Sequence, residues 1–416
     1  MLQNRVQKEI KDMITIKKIK VEDFESKVNK TSYTGTRLSC EIEIDGKKDI
    51  LFIECEQKWK KYLLTERADA FVFFLLPIAM REKHDIASYL PITQDLKTNL
   101  EKEYIPALTT GDKTLYIPKI FADTESEPIG GNAVGTANSL GVDSFYTVYK
   151  YANSDDESLK ITHFYMGAVS LDLWGTHSKD LFQYLEKKKH NYDRYKLVSD
   201  ELGKELIMTY SNFYKFMCKK HKNIHISVHS YITLAEIMCF KKLWRTYLFS
   251  SAFAPDDFSI TNVRKTDCSH YDRLTVAAIT VPDLLVISSG ADCSRHEKTK
   301  ILADYPPAQK YLRPCFNFLQ LRKDMKNCGR VLCPKCLRLL VSADVAGNLE
   351  KFKDVVDIEK YKRRRKQYFR IVVWGKGKSP FLKELYFLCR EKYPKIIKGL
   401  ERFKNFITFK WKGCKK

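Results

Sequence analysis

Apolar, strand-like segments alternate with helix-like segments over residues 129–290, and this alternation limits the fold more than any other feature of the sequence. The strand-like segments are AVGTAN (133–138), ITHFYMGAV (161–169), KELIMTYSN (204–212), TYLFSSAF (246–253) and VPDLLVISSG (281–290). The helix-like segments are DSFYTVYKYAN (143–153), KDLFQYLEKKKHNYDRYKLVSDELG (179–203) and TLAEIMCFKKLW (233–244). Repetition of strand, helix and strand predicts an α/β fold in which helices flank a parallel sheet.

Changes in composition divide the chain into three predicted domains. The charged connector TESEPIGG (124–131) contains proline and glycine and marks the first boundary. It separates an N-terminal α+β accessory region (1–128) from the domain that contains the alternating segments (129–348). Residues 349–416 are predicted to form a basic, helical C-terminal region.

Two segments support the prediction of an α+β accessory region. SCEIEIDGKKDILFIECE (39–56) alternates apolar and polar residues around Asp45-Gly46, which is typical of a β-hairpin. RADAFVFFLLPIAMREK (67–83) is strongly apolar. This second segment is either a buried helix that ends near Pro77 or a strand followed by a helix.

Composition and hydropathy predict a soluble, cytoplasmic protein with no membrane association. Hydrophobic residues make up 44% of the chain and aromatic residues 12%, which is enough for a large core and excludes general disorder. The sequence contains no run of eighteen or more apolar residues, and its first residues (MLQNRVQKEIKDM) lack the apolar core of a signal peptide.

The positive charge is concentrated near the C-terminus. The formal net charge is +22, and residues 351–416 contain 22 Lys and Arg against 6 Asp and Glu, which places +16 in that region. Basic and aromatic residues are interleaved in EKYKRRRKQYFR (359–370), at Trp374 and in KNFITFKWKGCKK (404–416). This pattern suits a polyanion such as tRNA, although a solvated helical surface would have the same composition.

The octapeptide NSLGVDSF (138–145) places small and polar residues at a predicted junction between a strand and a helix. In a parallel α/β sheet, ligands bind where such turns follow the carboxyl ends of strands. Unpaired N–H groups at a helix N-terminus attract anions, and small residues let an anion approach the backbone. The turn is therefore a candidate anion site, although Asp143 or Ser144 would also serve as an ordinary helix N-cap.

Four of the twelve cysteines are spaced like the ligands of one metal ion. Cys315, Cys328, Cys333 and Cys336 are separated by twelve, four and two residues, and the last pair lies in a CPKC knuckle. Clustered cysteines in a cytosolic protein bind metals more often than they form disulfides, and four thiolates suit a tetrahedral, structural Zn²⁺ site. The alternative is that the four cysteines are unrelated.

The segment SRHE (294–297) has the spacing of a capping box, with Ser294 at the N-cap and Glu297 three residues later. This spacing predicts the start of a helix and requires no ligand. In addition, Arg295 or Lys298 at that helix start could face a phosphate.

Residues 139–144 (SLGVDS) resemble the pyrophosphate-binding loop of the N-type ATP pyrophosphatases, the PP-loop superfamily, whose pattern is S-G-G-x-D-S. The order of the later features is similar to that in the 7-cyano-7-deazaguanine synthase family. In that family a late helix start is followed by one cysteine with an aromatic neighbour, here Cys315-Phe316, and then by a three-cysteine knuckle. The resemblance spans roughly residues 130–345.

The chain departs from the family pattern at three places. Leu140 stands where the family has glycine, which would be costly if that position needs a positive φ. Arg295 replaces the usual lysine, and the knuckle has two additional residues between its first two cysteines.

The resemblance implies an adenine nucleotide alpha hydrolase-like (Rossmann-like) domain that uses ATP and Mg²⁺. The backbone N–H groups of residues 140–144 and the serine hydroxyls would hold phosphates, and Asp143 would orient the loop or hold Mg²⁺. The implied nucleotide-binding residues are Ser139, Leu140, Gly141, Val142, Asp143 and Ser144. The implied catalytic residues are Asp143, Ser144 and Arg295.

The implied activity is that of an adenylating enzyme, which splits ATP into AMP and pyrophosphate. It would activate a carboxylate or carbonyl oxygen of a small molecule or peptide for attack by a nitrogen nucleophile. Two alternatives stay open. The same chemistry could modify tRNA or another nucleic acid bound by the basic region. The protein could also be a catalytically degenerate, nucleotide-binding interaction module, for which Leu140 is the main evidence.

Overall fold

A computed structural model describes residues 12–167, 178–315 and 326–413, with side chains up to residue 404. The chain divides into two compact units. Unit 1 comprises residues 1–137, 151–251 and 258–289, and unit 2 comprises residues 138–150, 252–257 and 290–416. The three domains predicted from composition stay a prediction.

Within these ranges the structure contains thirteen strands and fourteen α-helices. The strands are β1 (Met13–Val28), β2 (Thr31–Ile44), β3 (Lys47–Glu56), β4 (Asp85–Ser88), β5 (Ile92–Thr93), β6 (Ile120–Phe121), β7 (Thr124–Glu125), β8 (Ala133–Ala137), β9 (His163–Met166), β10 (Glu205–Met208), β11 (Tyr210–Ser211), β12 (Trp244–Ser250) and β13 (Leu285–Ser289). The helices of unit 1 are α1 (Asp69–Glu82), α2 (Gln94–Asn99), α3 (Ile105–Gly111), α5 (Leu181–Lys187), α6 (Lys189–Glu201), α7 (His229–Met238) and α8 (Asp272–Ile279). The helices of unit 2 are α4 (Val142–Tyr151, whose last residue belongs to unit 1), α9 (Arg295–Leu302), α10 (Pro306–Tyr311), α11 (Pro334–Ala346), α12 (Ile358–Gly375), α13 (Pro380–Lys392) and α14 (Pro394–Gly413).

The first sheet of unit 1 is mixed and has the strand order β11-β3-β2-β1-β4-β6. Its strands β1, β2 and β3 form an antiparallel meander, whereas β4 and β6 run parallel to β1. The predicted hairpin is confirmed as β2 and β3, and Asp45 and Gly46 both have positive φ, at 49° and 78°. Two positive φ values match the turn geometry that follows the twist of a hairpin, which explains the choice of Asp-Gly.

Helix α1 resolves the ambiguity left by the apolar segment 67–83. The segment is one helix that continues through Pro77, so the prediction of an end near Pro77 is wrong. Nearly all of its side chains are buried, as expected for a helix that is apolar on every side. Burial offsets the hydrogen bond that proline cannot donate, and the helix ends instead at Lys83, whose φ is 66°.

The second sheet of unit 1 has five parallel strands in the order β10-β9-β8-β12-β13. This arrangement confirms the prediction of an α/β protein with a parallel sheet flanked by helices. Two predicted helices differ in extent: residues 179–203 form α5 and α6 rather than one helix, and Trp244 belongs to β12 rather than to a helix. The end of the predicted strand 161–169 lies outside the described residues.

Unit 2 is built from helices, and a buried aspartate connects several of them. Asp344 on α11 accepts a hydrogen bond of 2.7 Å from the Tyr361 hydroxyl on α12. It also forms a hydrogen-bonded ion pair with Arg365 on α12 and accepts from the Tyr393 hydroxyl at 3.0 Å. The basic C-terminal segment is therefore helical and packed, with Arg365 turned inward and its neighbours exposed.

Across the described ranges, no helix is both long enough and apolar enough to span a membrane.

Candidate functional site

The backbone of the loop 138–141 is left-handed at Leu140, which has φ of 59°. This conformation costs a residue with a side chain about 1–2 kcal/mol, whereas glycine adopts it freely. The structure therefore confirms that the departure from the S-G-G-x-D-S pattern falls at a position suited to glycine. Burial of the Leu140 side chain and a 2.6 Å hydrogen bond from Arg313 N to Leu140 O compensate for part of this cost.

The two serines of the loop lie on the same side of the first turn of α4. Ser139 Oγ is 3.2 Å from Ser144 Oγ, and Ser144 Oγ donates to Gly141 O at 3.1 Å. A Cβ atom at Gly141 would lie 3.3 Å from Ser139 Oγ, so a side chain there would crowd the Ser139 hydroxyl. Because α4 begins at Val142, Asp143 and Ser144 lie within its first turn rather than before it. The N-cap alternative therefore does not describe these two residues.

Asn138 adds an unsatisfied polar atom next to the loop. The side chain is buried, and its Oδ1 atom has no hydrogen-bond partner among the residues that the structure describes. A buried amide oxygen without a partner is costly in a folded protein. This atom is therefore available to a ligand that donates a hydrogen bond.

Asp143 is held by two cations that come from α9. The Arg295 guanidinium forms a short hydrogen-bonded ion pair with Asp143 Oδ2, and Lys298 Nζ lies 3.5 Å from Oδ1. Burial by itself would raise the pKa of the Asp143 carboxyl, but the charges of Arg295, Lys298 and Lys335 outweigh it and hold that pKa below its usual value. Asp143 is therefore ionised at neutral pH.

Helix α9 begins with a capping box and carries both cations near its N-terminus. The predicted capping box is confirmed: Glu297 N donates to Ser294 Oγ at 3.2 Å, and Ser294 N donates to Glu297 Oε2 at 2.7 Å. Arg295 and Lys298 are three residues apart, so they lie on the same side of the helix. Burial lowers the pKa of Lys298, and the charge of Asp143 opposes this shift.

A cavity of about 530 Å³ in unit 2 is also lined by Arg295. The Arg295 Cζ atom lies 4.6 Å from the centre of the Phe381 ring, and Arg338 Cζ lies 4.1 Å from the same ring. Arg295 Nε is buried and has no hydrogen-bond partner in the described part of the chain. Arg295 thus connects the loop with the cavity. The other lining residues are Ala252, Ala254, Asp256, Asp257, Ser294, Lys376, Gly377, Lys378, Ser379, Pro380, Phe381, Lys383, Glu384 and Phe387.

The cavity contains both signs of charge and two aromatic rings. Burial raises the pKa of Glu384. The basic residues of the lining are Arg295, Lys376, Lys378 and Lys383. Residues 376–387 of this lining were assigned from sequence only to a basic helical region. The Ser379-Pro380 pair, an N-cap followed by proline at the first helical position, was the available signal for a helix start.

The four predicted metal ligands converge. The sulfur atoms of Cys315, Cys328, Cys333 and Cys336 all lie within 4.8 Å of one another, and Cys328 Sγ is 3.6 Å from Cys336 Sγ. Four sulfurs bound to one zinc ion at 2.3 Å would be separated by about 3.8 Å, so the arrangement fits a tetrahedral site. These cysteines could hold a metal ion such as zinc. Phe316, the predicted aromatic neighbour, lies outside the described residues.

Three of the four cysteines are buried, and their thiols influence one another. Hydrogen bonding with the Cys336 thiol lowers the pKa of Cys328 to about 6, and hydrogen bonds with the other thiols raise the pKa of Cys336. Cys333 stands immediately before α11, and Cys336 lies in its first turn. The knuckle therefore rests on a regular helix.

Cys293 is half-buried, and burial raises the pKa of its thiol. It is therefore not an activated nucleophile.

Comparisons of the chain with models of protein families, with curated proteins and with solved structures found no match. The function is therefore inferred from the loop 138–144, the two cations on α9, the cavity and the four cysteines.

Proposed function

We propose that this protein is an ATP-dependent adenylating enzyme of the PP-loop type, with a Rossmann-like nucleotide-binding domain and accessory regions at both ends. The loop 139–144 carries the proposal. This loop contains the left-handed residue Leu140 and leads directly into the N-terminus of α4. The hydroxyl groups of Ser139 and Ser144 lie next to each other there. A helix N-terminus with small, hydroxyl-bearing residues suits the phosphates of a nucleotide.

ATP bound with Mg²⁺ would supply an adenylyl group to an oxygen atom of a second substrate. That oxygen would attack the α-phosphorus, the bond to the bridging oxygen would break, and pyrophosphate would leave. A nitrogen nucleophile would then displace AMP from the adenylate. The hydroxyl groups of Ser139 and Ser144 would donate hydrogen bonds to phosphate oxygens, which would replace the contact that these hydroxyls now make with each other.

Charge stabilisation would come mainly from α9. Arg295 and Lys298 would share the charge of the leaving pyrophosphate, since both already surround the anionic Asp143. Asp143 would keep Arg295 and Lys298 in position. If a phosphate replaced Asp143 as the partner of one of these cations, a carboxylate oxygen of Asp143 would be available to bind Mg²⁺. The role of Arg295 would thus match that of the lysine usual at this position.

The cavity beside Arg295 is the proposed site for the second substrate. Its volume of about 530 Å³ is in the range of small-molecule pockets. The rings of Phe381 and Phe387 offer apolar contact, while Glu384 and Lys383 offer both an acceptor and a donor. Such a lining suits a small molecule or peptide end that has both a nitrogen group and an oxygen group.

Binding of MgATP to the purified chain tests the proposal without knowledge of the second substrate. We expect saturable binding by calorimetry, and at least tenfold weaker binding in a Ser139→Ala, Ser144→Ala double variant. Ser158→Ala is the control, because Ser158 contacts Asp156 in a surface turn. Absence of MgATP binding, or binding that Asp143→Ala leaves unchanged, would refute the proposal.

The assay for turnover separates an enzyme from a degenerate nucleotide-binding module. Pyrophosphate release is measured with MgATP and a low-molecular-weight cell extract as the source of substrate. Release that depends on the extract, and that is lost in Lys298→Met, supports the enzyme. Binding of MgATP without release in any extract fraction favours the degenerate module and the view that Leu140 impairs the loop.

Nucleic-acid modification is the second candidate, and the exposed side of α12 favours it. The exposed cations of this helix are Lys362, Arg363, Arg364, Lys366 and Arg370. Arg370 Cζ lies 5.8 Å from the ring of Trp374 and 5.9 Å from the ring of Phe403, and both rings are partly exposed. Cations beside exposed rings suit phosphates and stacked bases.

A salt titration of tRNA binding tests this second candidate. We expect binding to weaken steeply with added salt, and Arg363→Ser with Arg364→Ser to reduce the slope by roughly one unit per lost phosphate contact. Lys17→Ser and Lys20→Ser, on β1 of unit 1, form the control pair. Equal losses of affinity in both pairs would indicate only a general charge effect.

A further inference from the structure

A second group of side chains that could hold a metal ion lies in unit 1, on elements that the proposed ATP chemistry does not use. His229 is the first residue of α7, and Asp267 and Cys268 stand at the start of a 3₁₀ helix (Cys268–Tyr271) that leads into α8. A ring nitrogen of His229, a carboxylate oxygen of Asp267 and Cys268 Sγ all lie within 4.8 Å of one another. The sequence pattern does not indicate this group, because His229 and Asp267 are 38 positions apart in the sequence.

The three side chains are held in place by hydrogen bonds with one another and with neighbouring backbone N–H groups. His229 Nε2 lies 3.0 Å from Asp267 Oδ1, and Asp267 Oδ1 also accepts from Ser269 N at 3.1 Å. Cys268 is fully buried, and its Sγ accepts a hydrogen bond from Ser230 N at 3.4 Å near the N-terminus of α7. An N–H donor to the sulfur is a common outer contact of metal-bound thiolates.

One side of the group is open to solvent. The side chains of His229 and Asp267 are 27% and 35% exposed, so an ion could enter from there and keep a water ligand. A further nitrogen stands nearby: the His225 ring centre is 5.5 Å from that of His229, and His225 Nδ1 is buried with no partner in the described ranges. Three protein ligands with an open fourth position are typical of zinc sites that bind a water or substrate.

The chemistry of the ligands selects the class of ion. A thiolate and an imidazole favour Zn²⁺ and similar transition metals over Mg²⁺ or Ca²⁺, which prefer oxygen ligands. One thiolate and one carboxylate would also balance the charge of a divalent ion, which matters where the sulfur is buried. The ligands, their spacing and their charge thus agree on one type of ion.

We propose that His229, Asp267 and Cys268 form a second transition-metal site, which binds Zn²⁺ or a similar ion with an open fourth position. This site is independent of the ATP loop and of the four-cysteine centre, and its ligands all belong to unit 1. It gives unit 1 a metal-dependent function of its own, either structural or as a Lewis acid toward a bound water.

Metal content of the full-length chain tests the proposal. The protein is stripped with a chelator, reloaded with Zn²⁺, separated from unbound ions and analysed by mass spectrometry for metals. We expect about two zinc ions per chain in the wild type and about one in Cys268→Ser. Cys336→Ser should also retain about one, and Cys218→Ser, which changes a thiol of unit 1 outside the group, should retain about two.

Asp267→Asn is a second variant, which keeps the proposal testable if Cys268→Ser does not fold. Asparagine keeps the capping hydrogen bond to Ser269 N but removes the negative charge, so we expect it to weaken zinc binding at this site by tenfold or more. Cobalt loading gives a second readout, because the absorption of a one-thiolate site is lost in Cys268→Ser and retained in Cys336→Ser. Unchanged zinc content and cobalt spectra in both Cys268→Ser and Asp267→Asn would overturn the proposal.

Discussion

Lys298 Nζ lies 3.5 Å from Asp143 Oδ1, although the two residues are 155 positions apart in the sequence. Lys298 is completely buried, so its charge is stabilised by Asp143 rather than by water. The same carboxylate pairs with Arg295, so a single anion supports two buried cations. The position of the loop helix α4 and that of α9 are therefore energetically coupled.

Asp143→Asn should destabilise the protein by about 3 kcal/mol, because it removes the carboxylate that pairs with the buried side chains of Lys298 and Arg295. Urea denaturation followed by circular dichroism measures the free energy of unfolding. Asp292→Asn is the matched control, since Asp292 is exposed and pairs with Lys150 at 3.6 Å on the surface. An equal effect of the two variants, or no recovery in Asp143→Asn with Lys298→Met, would contradict the coupling.

Leu140→Gly should destabilise the protein less than Leu140→Ala, by about 1 kcal/mol. Both variants lose the buried leucine side chain, but only glycine relieves the left-handed backbone. At Val148, inside α4, the order should be the reverse, because glycine is unfavourable in a helix. The four free energies of unfolding decide this prediction, which fails if alanine is the better replacement at both positions.

Glu236→Gln should stabilise the protein at pH 8, by up to roughly 3 kcal/mol. Burial raises the pKa of Glu236 from 4.5 to about 7, against the hydrogen bonds from Ser211 and Tyr165. At a pH between 4.5 and about 7, the Glu236 carboxyl keeps its proton in the folded state but loses it in the unfolded chain. The free energy of unfolding therefore falls as the pH rises through this range. The variant should flatten this fall.

Unfolding free energies between pH 4 and pH 8.5 check this expectation. Asp272, whose pKa burial also raises to about 7, should leave a residual slope in Glu236→Gln. Glu205→Gln is the control because Glu205 is exposed and pairs with Lys58 at 3.7 Å on the surface. A slope that is the same in the wild type and in Glu236→Gln would show that Glu236 titrates normally.

Cys336→Ser should reduce the zinc content by about one ion per chain and destabilise unit 2. Structural zinc sites contribute on the order of 10 kcal/mol of binding energy to folding, and Cys336 is the most buried ligand of the four. Metal analysis and thermal unfolding with and without a chelator measure the effect. Cys389→Ser, a buried thiol of α13 outside the cluster, should keep its zinc.

Local patterns in the sequence were sufficient for several features of the structure. Turn chemistry predicted the hairpin at Asp45-Gly46, and the spacing of Ser294 and Glu297 predicted the capping box. The alternation of strands and helices predicted the parallel sheet of unit 1. The four-cysteine spacing also predicted a cluster that the structure brings together. Each of these signals involves either neighbours in the chain or a repeated pattern, so no knowledge of distant contacts was needed.

Only the tertiary structure decided which distant groups meet. Four features depend on packing between segments that are far apart in sequence. They are the continuation of α1 through Pro77, the pairing of two cations with Asp143, the cavity lined by residues of α13 and the group around His229. Such contacts arise because buried apolar surfaces fix the elements in space, and the polar groups carried with them must then find partners. A sequence specifies these groups but not, by local rules, the neighbours that packing gives them.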